Sequence, residues 1–381
     1  MRFLCQLACG LFICFASSLW AQSSASQARS TNQSWTDTSV SQSDAANPTR
    51  TLESHSQSGN RTLDNQSIQA LGPDGNYQPF QDIEKETIKV DASTTRTITR
   101  TFGRDADGAK TLVQVTEEEQ HARAGGASSV VRSTSNPDAN GNLQVVQREI
   151  QETTTMKSGN NVEETTKTTV MLPGPDGGLA PAMMTQEHST QTGGAVDSKK
   201  TTFLPDGSGN WQVGEVKETK TQEQGNNRTT EEQVSRPDAN GTLTQISAKV
   251  SKESKGAAEK RSMEDDYSVN VPGTPQDGAL HLVERAISTQ GVPAPGVQNN
   301  TTKIEQVNPG EPDAGLRVTV VTFDGVRTGL SGTRSTETIQ QLDANGDMAV
   351  VSVDTTQSDS NHAINIEIAP SGQPKQQQPK Q

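Results

Sequence analysis

Apolar residues recur along this chain at regular intervals, each a few positions after a turn-like sequence rich in Pro, Asp, Asn and Gly. The turn sequences contain nine aspartates with a period of roughly 34 residues. These are Asp74, Asp107, Asp138, Asp176, Asp206, Asp238, Asp277, Asp313 and Asp343. The apolar residues that follow them are Tyr77, Leu112, Leu143, Leu179, Trp211, Leu243, Leu280, Leu316 and Met348. Nine occurrences at similar spacing identify an internal repeat.

Each turn sequence predicts a reversal of the chain. Proline fixes the φ angle at the entry, aspartate accepts hydrogen bonds from the backbone that follows it, and asparagine or glycine adopts positive φ. Runs rich in Thr and Val follow, as in residues 143–150, and β-branched residues favour strands over helices. A second turn lies near the middle of many repeats, for example at Gly159, Gly193 and Gly225. Each repeat therefore predicts a β-hairpin.

The predicted fold is all-β: an elongated antiparallel meander of about nine degenerate β-hairpin repeats. About 18 strands at a spacing of about 4.8 Å would form a sheet roughly 85 Å long. We do not expect an outer-membrane barrel, which needs an outward apolar band and two aromatic girdles. Lys, Glu and Gln occupy both alternating sets of positions. One stretch, from Ala248 to Asp266, is rich in Lys, Glu and Ala and is expected to be helical or disordered.

Residues 1–21 have the layout of a secretory signal peptide. Arg2 precedes an apolar run from Phe3 to Phe15 and then small or neutral residues, with cleavage expected after Ala21 or, alternatively, after Ser18. The rest of the chain divides by composition. We expect a disordered Ser/Gln/Asn-rich linker over 22–66, the hairpin repeats over 67–369 and a disordered Pro/Gln/Lys-rich tail over 370–381.

Composition narrows the classes of function. Hydrophobic residues make up 29% of the sequence and aromatic residues 3%, which favours a thin core. All three cysteines lie within the predicted signal peptide, so the mature chain has no disulfide or thiolate metal site. Removal of Arg2 leaves 32 basic and 46 acidic residues, a net charge of −14. Such an acidic chain is not expected to bind nucleic acid or anionic membranes.

No motif in the sequence predicts catalysis. The five histidines are scattered, and no nucleophile elbow, zinc motif or phosphate-binding loop is present. The sequences around Asp105 and Asp107, and from Asp343 to Asp347, place oxygen ligands at alternating positions, as calcium loops do. Turn chemistry explains the same aspartates without an ion. We therefore expect no enzyme and no cofactor, and assign no catalytic, cofactor-binding or metal-binding residue.

Two of the turns resemble those of a known bacterial family. The segments from Asn140 to Leu143 and from Asn240 to Leu243 are similar to the Tyr-Asp repeats of RHS-type shell proteins, in which an Asp-x-x-Gly turn precedes a leucine-containing strand. The tyrosine before the turn is absent here, and the period is longer. The resemblance covers the turns alone and implies no role.

These observations lead to one leading hypothesis and two alternatives. The leading hypothesis is an exported repeat protein, secreted, periplasmic or at the cell surface, with a structural or interaction role. The alternatives are a self-assembling matrix β-fibril and a calcium- or glycan-binding module. The expected partner is an unidentified protein or glycan. We expect no membrane insertion of the mature chain, and possible self-association through the sheet edges.

Overall fold

The structure is a computed structural model, and it describes residues 33–43, 48–105, 107–271, 278–308, 310–311, 314–329, 332–343 and 345–359. The predicted signal peptide, residues 22–32 and the predicted tail lie outside the described residues. Within the described part of the chain there are twenty β-strands and one short 3-10 turn, Ala124–Gly126.

The strands are 10 to 16 residues long and follow one another along the chain. They are β1 (Gln33–Ser43), β2 (Thr49–Ser58), β3 (Arg61–Leu71), β4 (Tyr77–Lys89), β5 (Thr94–Arg104), β6 (Lys110–Ala122), β7 (Ala127–Pro137), β8 (Leu143–Ser158), β9 (Asn161–Pro173), β10 (Leu179–Thr192), β11 (Ala195–Pro205), β12 (Trp211–Gln224), β13 (Asn227–Pro237), β14 (Leu243–Lys255), β15 (Glu259–Ser268), β16 (His281–Ala294), β17 (Val297–Val307), β18 (Leu316–Gly329), β19 (Gly332–Leu342) and β20 (Met348–Asp359).

The strands form one antiparallel sheet in which each strand pairs with the next along the chain. The predicted all-β hairpin meander is therefore confirmed. The sheet also closes, because β1 pairs with β20 from Thr38 opposite Asp359 to Ser43 opposite Asp354. The sequence did not decide between a flat, a coiled and a closed sheet. The structure shows a closed one, which our argument against an outer-membrane barrel did not expect.

The closed sheet has two rims with different turns. The described signature turns lie at one rim, which we call the signature rim. At the other, the tight-turn rim, several hairpins close with two residues, the first being a glycine at positive φ, as at Gly59, Gly159 and Gly225. Because the number of strands is even, β1 begins and β20 ends at the tight-turn rim.

The pairing register of the strands determines on which of the two faces of the sheet each side chain lies. One face, which we call the leucine face, carries nine apolar cross-strand pairs close to the signature rim. The pairs are Leu71–Tyr77, Phe102–Leu112, Pro137–Leu143, Pro173–Leu179, Pro205–Trp211, Pro237–Leu243, Tyr267–Leu282, Val307–Leu316 and Leu342–Met348. We call them the apolar ring. They include most of the apolar residues that the sequence places after each turn.

The opposite face is rich in threonine, and we call it the threonine face. Hydroxyl groups hydrogen-bond between adjacent strands there, at 3.1 Å between Thr153 and Thr166 and at 3.1 Å between Thr221 and Thr230. Threonine pairs of this kind stabilise neighbouring strands. The threonine-rich runs of the sequence thus supply β-propensity and cross-strand hydrogen bonds together.

A β-bulge interrupts the register in every described strand that follows a signature turn. The extra residues are Phe80, Val113, Val146, Ala182, Gly214, Ile246, Val283, Thr319 and Val351. A bulge bends its strand and increases the local right-handed twist. Nine bulges at one level of the sheet therefore account for its curvature, and curvature is what brings β20 round to β1.

The wall is a single sheet thick. Strands pack against their sheet neighbours, and among the described residues no large side chain is fully buried. The buried apolar side chains within the strands are Val40, Val115, Met184, Val216 and Val321, all on the leucine face. Stability thus rests on backbone pairing, cross-strand contacts and the apolar ring, as the low apolar content predicts.

Two segments differ from the sequence-based assignment. Residues 33–43 and 49–66, placed in the linker, contain β1, β2 and the first half of β3. Polar cross-strand contacts support these strands, including Gln66 Nε2 donating to Glu53 at 2.9 Å and His55 Nδ1 bonding to Asp64 at 2.5 Å. The stretch expected to be helical or disordered belongs to β14 and β15, where Lys249 pairs with Glu264 at 2.7 Å. Partner strands override weak local propensity in both places.

Candidate functional site: the enclosed lumen and its rims

The closed sheet surrounds a wide lumen. Twenty strands spaced about 4.8 Å apart and tilted by about 40° enclose a backbone cylinder roughly 40 Å across. Every described strand lies in the wall, and no described element crosses the interior. Side chains narrow the passage, but barrels of 16 to 18 strands already hold an aqueous channel. The space is therefore wide enough for water and small solutes.

The signature turns are held by their aspartates. In one of them, Asp138 Oδ1 accepts hydrogen bonds from the backbone N–H groups of Asn140 at 2.8 Å and Asn142 at 2.9 Å. Gly141 has a φ of 81 degrees, in the left-handed region that favours glycine. The turns at Asp206, Asp238 and Asp343 repeat the two carboxylate contacts. This geometry confirms the turn chemistry read from the sequence.

The same hydrogen bonds keep several turn carboxylates ionised. The backbone N–H groups of Asn142 and then Asn140 lower the pKa of Asp138 from its ordinary value. The pKa of Asp343 is lowered in the same way by Asp347 and Asn345, and that of Asp206 mainly by Ser208. The side chain of Asn76, followed by its backbone N–H, lowers the pKa of Asp74. N–H donors favour the charged form of a carboxylate.

The signature rim is consequently a ring of negative charge. Its described turn aspartates include Asp74, Asp105, Asp138, Asp176, Asp206, Asp238 and Asp343, and none of these forms an ion pair within 4.0 Å. In the second turn the capping residue is Asp105 rather than Asp107, because Asp105 Oδ1 accepts from the backbone of Asp107 and Ala109. The sequence spacing alone did not distinguish these two aspartates.

Charged residues on the wall, in contrast, are mostly paired across strands. On the leucine face, Arg61 contacts Glu86 at 2.6 Å and Lys199 contacts Glu218 at 2.9 Å. Lys110 Nζ lies 2.7 Å from Glu84 and 4.0 Å from the centroid of the Phe102 ring. The threonine face has equivalent pairs, such as Lys217 with Glu232 at 2.6 Å. Both faces of the wall therefore present polar, ion-paired surface to their surroundings.

The calcium and histidine positions considered in the sequence do not come together as a metal site. Among the described residues, no group of three His, Cys, Asp or Glu side chains is arranged to hold a metal ion. Asp343 Oδ1 instead accepts from the backbone of Asn345 and Asp347. Histidines on the strands bond to neighbouring strand residues, as His121 does to Thr94 at 3.1 Å.

Comparison with known proteins gives a likeness of architecture alone. No family model and no curated protein matches the sequence. Among solved structures the chain is similar to the ferric citrate transporter FecA, with 8% identity, a TM-score of 0.47, and 86% of this chain and 78% of that one covered. It is also similar to the copper transporter OprC, with 7% identity, a TM-score of 0.46, and coverage of 87% and 80%. It is also similar to the siderophore receptor PirA from Pseudomonas aeruginosa, with 10% identity, a TM-score of 0.43, and 87% of this chain and 81% of that one covered. Within the part of the chain that the structure describes, no helix is long and apolar enough to cross a membrane.

The closure of the sheet corrects the functional expectations drawn from the sequence. The open spacer or interaction sheet, and the fibril, both required free sheet edges, and the pairing of β1 with β20 removes them. The expectation of an exported repeat protein with a structural or interaction role rested on such an open sheet, and it is withdrawn because the sheet closes. The expectation that the mature chain stays out of membranes is withdrawn with it. That expectation assumed that no aromatic girdle existed, whereas the apolar ring includes Tyr77, Phe102, Trp211 and Tyr267.

Proposed function

We propose that the chain forms a water-filled conduit in the cell envelope, through which solutes pass along the lumen of the closed sheet. The observation that carries this proposal is the pairing of β1 with β20, which joins twenty strands around an interior that no described element occupies. The signal-peptide layout of residues 1–21 supports export to the envelope. Passage of solutes requires no catalytic group, and we propose none.

The polar wall and the rims support the same proposal. Ion-paired charges on both faces keep the wall hydrated, so a solute in the lumen meets water rather than an apolar core. The apolar ring gives strands β3 to β20 a band of aliphatic and aromatic side chains near the signature rim, and aromatic residues of this kind anchor barrels at membrane interfaces. The signature rim therefore differs from the tight-turn rim in its nearby apolar side chains. A conduit whose two ends differ in this way can be oriented in one direction.

Conductance across a planar lipid bilayer tests the conduit. The mature chain, refolded and shown by circular dichroism to be β-structured, is expected to produce discrete conductance steps and to release small fluorophores from liposomes. Val40→Pro removes a backbone N–H within β1, which pairs on both sides, and is expected to abolish the steps. Val40→Thr keeps that N–H and a β-branched side chain, and serves as the matched control. A folded chain that gives neither steps nor release would refute the proposal.

The acidic signature rim makes a prediction about which ions pass. Neighbouring signature turns are roughly 12 Å apart along the rim, which exceeds the screening length of about 8 Å at 0.15 M salt but not that of about 30 Å at 0.01 M. A preference for cations is therefore expected at low salt and should fade as salt is added. Replacing Asp138, Asp206 and Asp343 by Asn keeps the acceptor oxygens and removes three charges. Reversal potentials should then move toward zero, and an anion preference in the wild type would contradict the argument.

A further inference from the structure

The ends of β9, β10 and β11 at the signature rim are apolar on both faces of the sheet. Their sequences run without a polar residue through residues 170–173, 179–184 and 203–205. A continuous apolar run of this kind is typical of a strand that is covered on both faces. Here Leu204 is 43% exposed on the threonine face, and Trp211, opposite Pro205 on the leucine face, is 37% exposed. The described part of the chain therefore leaves open a surface whose sequence fits a covered one.

The threonine-face side chains of these three strand ends form an apolar patch. Leu172 is opposite Ala180, and Val170 is opposite Met183, on the paired strands β9 and β10. Leu204 lies on β11, the strand on the other side of β10. Leu172 and Leu204 are 42% and 43% exposed. We call these five residues the rim patch.

The two leucines of the rim patch are peculiar to their repeats. Counted from the register shift at each bulge, Leu172 and Leu204 occupy the same position in their strands. At that position the other repeats have small or polar residues, which are Ala70, Gly103, Asn136, Arg236, Ser268, Gln306 and Gln341. The turns, the apolar ring and the bulges recur around the sheet and shape it, whereas these leucines do not recur. They are therefore not needed for closure, and we attribute to them a role at this place alone.

Negative charge lies next to the rim patch. Asp176 is in the turn after β9, and Asp206 is two residues beyond Leu204. At about 3.3 Å per residue, Asp206 is within roughly 7 Å of the patch. Among the described residues neither aspartate forms an ion pair. Lys200, on the same face of β11, is four residues from Leu204 in the other direction, roughly 13 Å away. The patch therefore combines exposed carbon atoms with carboxylates at one edge.

We propose that the rim patch binds an amphipathic cation, a molecule with an alkyl or aryl group and one positive charge. The apolar group lies over Leu172 and Leu204 and removes their exposed carbon atoms from water, which supplies most of the affinity. The positive group lies beside Asp176 and Asp206, where a negative group is repelled. Binding requires the described wall and no passage of solutes, so it can fail while the conduit stands, and the reverse.

Saturation-transfer NMR titrations of the refolded mature chain, in buffer without detergent, test the class of ligand. Octyltrimethylammonium is expected to bind, and octanesulfonate, which has the same chain and the opposite charge, to bind roughly tenfold more weakly at about 0.01 M salt. This difference should shrink at about 0.15 M salt, where the charges are partly screened. Tetramethylammonium, which has the charge but no chain, should give no saturation transfer. Absence of octyltrimethylammonium binding, or equal affinity for the two octyl probes at low salt, would overturn the proposal.

Paired leucine substitutions locate the site on the wall. Leu172→Thr combined with Leu204→Thr introduces a strand-favouring residue that is common on this face, and should weaken octyltrimethylammonium binding roughly tenfold. Leu143→Thr combined with Leu243→Thr changes leucines of similar exposure, 48% and 47%, on the leucine face. This control should bind as the wild type does. If the first double variant does not fold, Leu204→Thr alone should still weaken binding about threefold. Wild-type affinity in a folded rim-patch variant, or equal loss in the control, would refute the location.

A second pair of substitutions tests the charge. Asp176→Asn combined with Asp206→Asn keeps the acceptor oxygens of both turns and removes two charges. Octyltrimethylammonium and octanesulfonate should then bind with similar affinity at low salt, because only the chain is still recognised. A full preference for the cation in this variant would show that other charges select the ligand, and would contradict the assignment of Asp176 and Asp206.

Discussion

Two valines on one strand allow the energetics of the wall to be tested with a matched pair of substitutions. Val115 and Val113 both lie on β6, but Val115 is 6% exposed on the leucine face and Val113, the extra residue of the bulge, is 49% exposed. Replacing either by alanine removes the same two carbon atoms. The two variants therefore differ in burial and not in the chemistry of the change.

The expected magnitudes follow from burial. Each methylene-sized group removed from a buried site is worth about 0.8 kcal/mol, and a residual cavity adds to this, so Val115→Ala should cost about 1.5–2.5 kcal/mol. Half of the Val113 side chain is already in water, and its replacement should cost about 0.8 kcal/mol or less. The difference between the two variants is about 1 kcal/mol.

Urea unfolding followed by far-UV circular dichroism measures this difference. The midpoint of Val115→Ala should lie clearly below that of Val113→Ala, with the slope of the transition unchanged, because the surface exposed on unfolding is nearly the same. Equal midpoints would show that the leucine face is not packed at this level, and would refute the thin-core account of the wall. A changed slope would mean that unfolding is no longer a single transition.

Further predictions concern a turn, an ion pair and a bulge. The pKa of Asp138 is lowered in the fold, so its contribution is present above the unfolded-state pKa and is lost as the pH falls through the folded-state value. Asp138→Ala should therefore lower the melting temperature at pH 7 but have little effect at pH 2, while Asp138→Asn, which keeps the acceptor, should be milder. Arg285→Met leaves Asp265, which is 6% exposed, without its two guanidinium bonds of 2.6 and 3.0 Å. It should cost about 3 kcal/mol in urea unfolding, and a midpoint within error of the wild type would contradict this. Deletion of Val146 removes the bulge but leaves the other side chains of β8 on their present faces. Loss of the bend should lower the melting temperature, whereas Val146→Ala, which keeps the bulge, should lower it less.

The hairpin elements of this fold could be predicted from the sequence because their signals are local. A turn such as that around Gly141 is marked by proline, aspartate, asparagine and glycine within one short segment, and the structure places it at a hairpin end. The apolar residue after each turn, such as Leu143, recurs at regular spacing in the sequence, and register puts most of these residues in the apolar ring. Local chemistry was sufficient in both cases.

Closure could not be predicted by the same means because its causes are not local. Each bulge shifts the alternation of apolar and polar positions by one residue, as at Val145 and Val146. The shift weakens the two-residue period that identifies a strand, and the sequence pattern does not mark it as a bulge. The pairing of β1 with β20 joins the first and the last described strands of the chain, and β1 lies in a Ser- and Thr-rich stretch that resembles a linker. The adjacent apolar pairs Val145–Val146 and Val350–Val351 were the available signal.

An alignment of three carboxylates across β18, β19 and β20 was missed for a related reason. Asp324, Glu337 and Asp354 lie far from one another along the sequence, at a spacing that matches no ligand or catalytic motif. Only the register of three strands brings them into line. Features that depend on the relative register of strands, rather than on one strand, lie beyond what spacing along the chain can show.

The number of hairpin repeats also determines the diameter of the closed sheet. Each repeat contributes two strands and one bulge, and it enters and leaves the sheet at the tight-turn rim, so a whole repeat can be gained or lost without moving either end of the chain. Two strands add about 9.6 Å of sheet and, at a tilt of about 40°, change the diameter by roughly 4 Å. Duplication of a single gene segment would therefore widen the opening in fixed steps, with the stagger of the strands supplied each time by the bulge that the segment carries. The width of the lumen therefore follows from the number of aspartate turns in the chain.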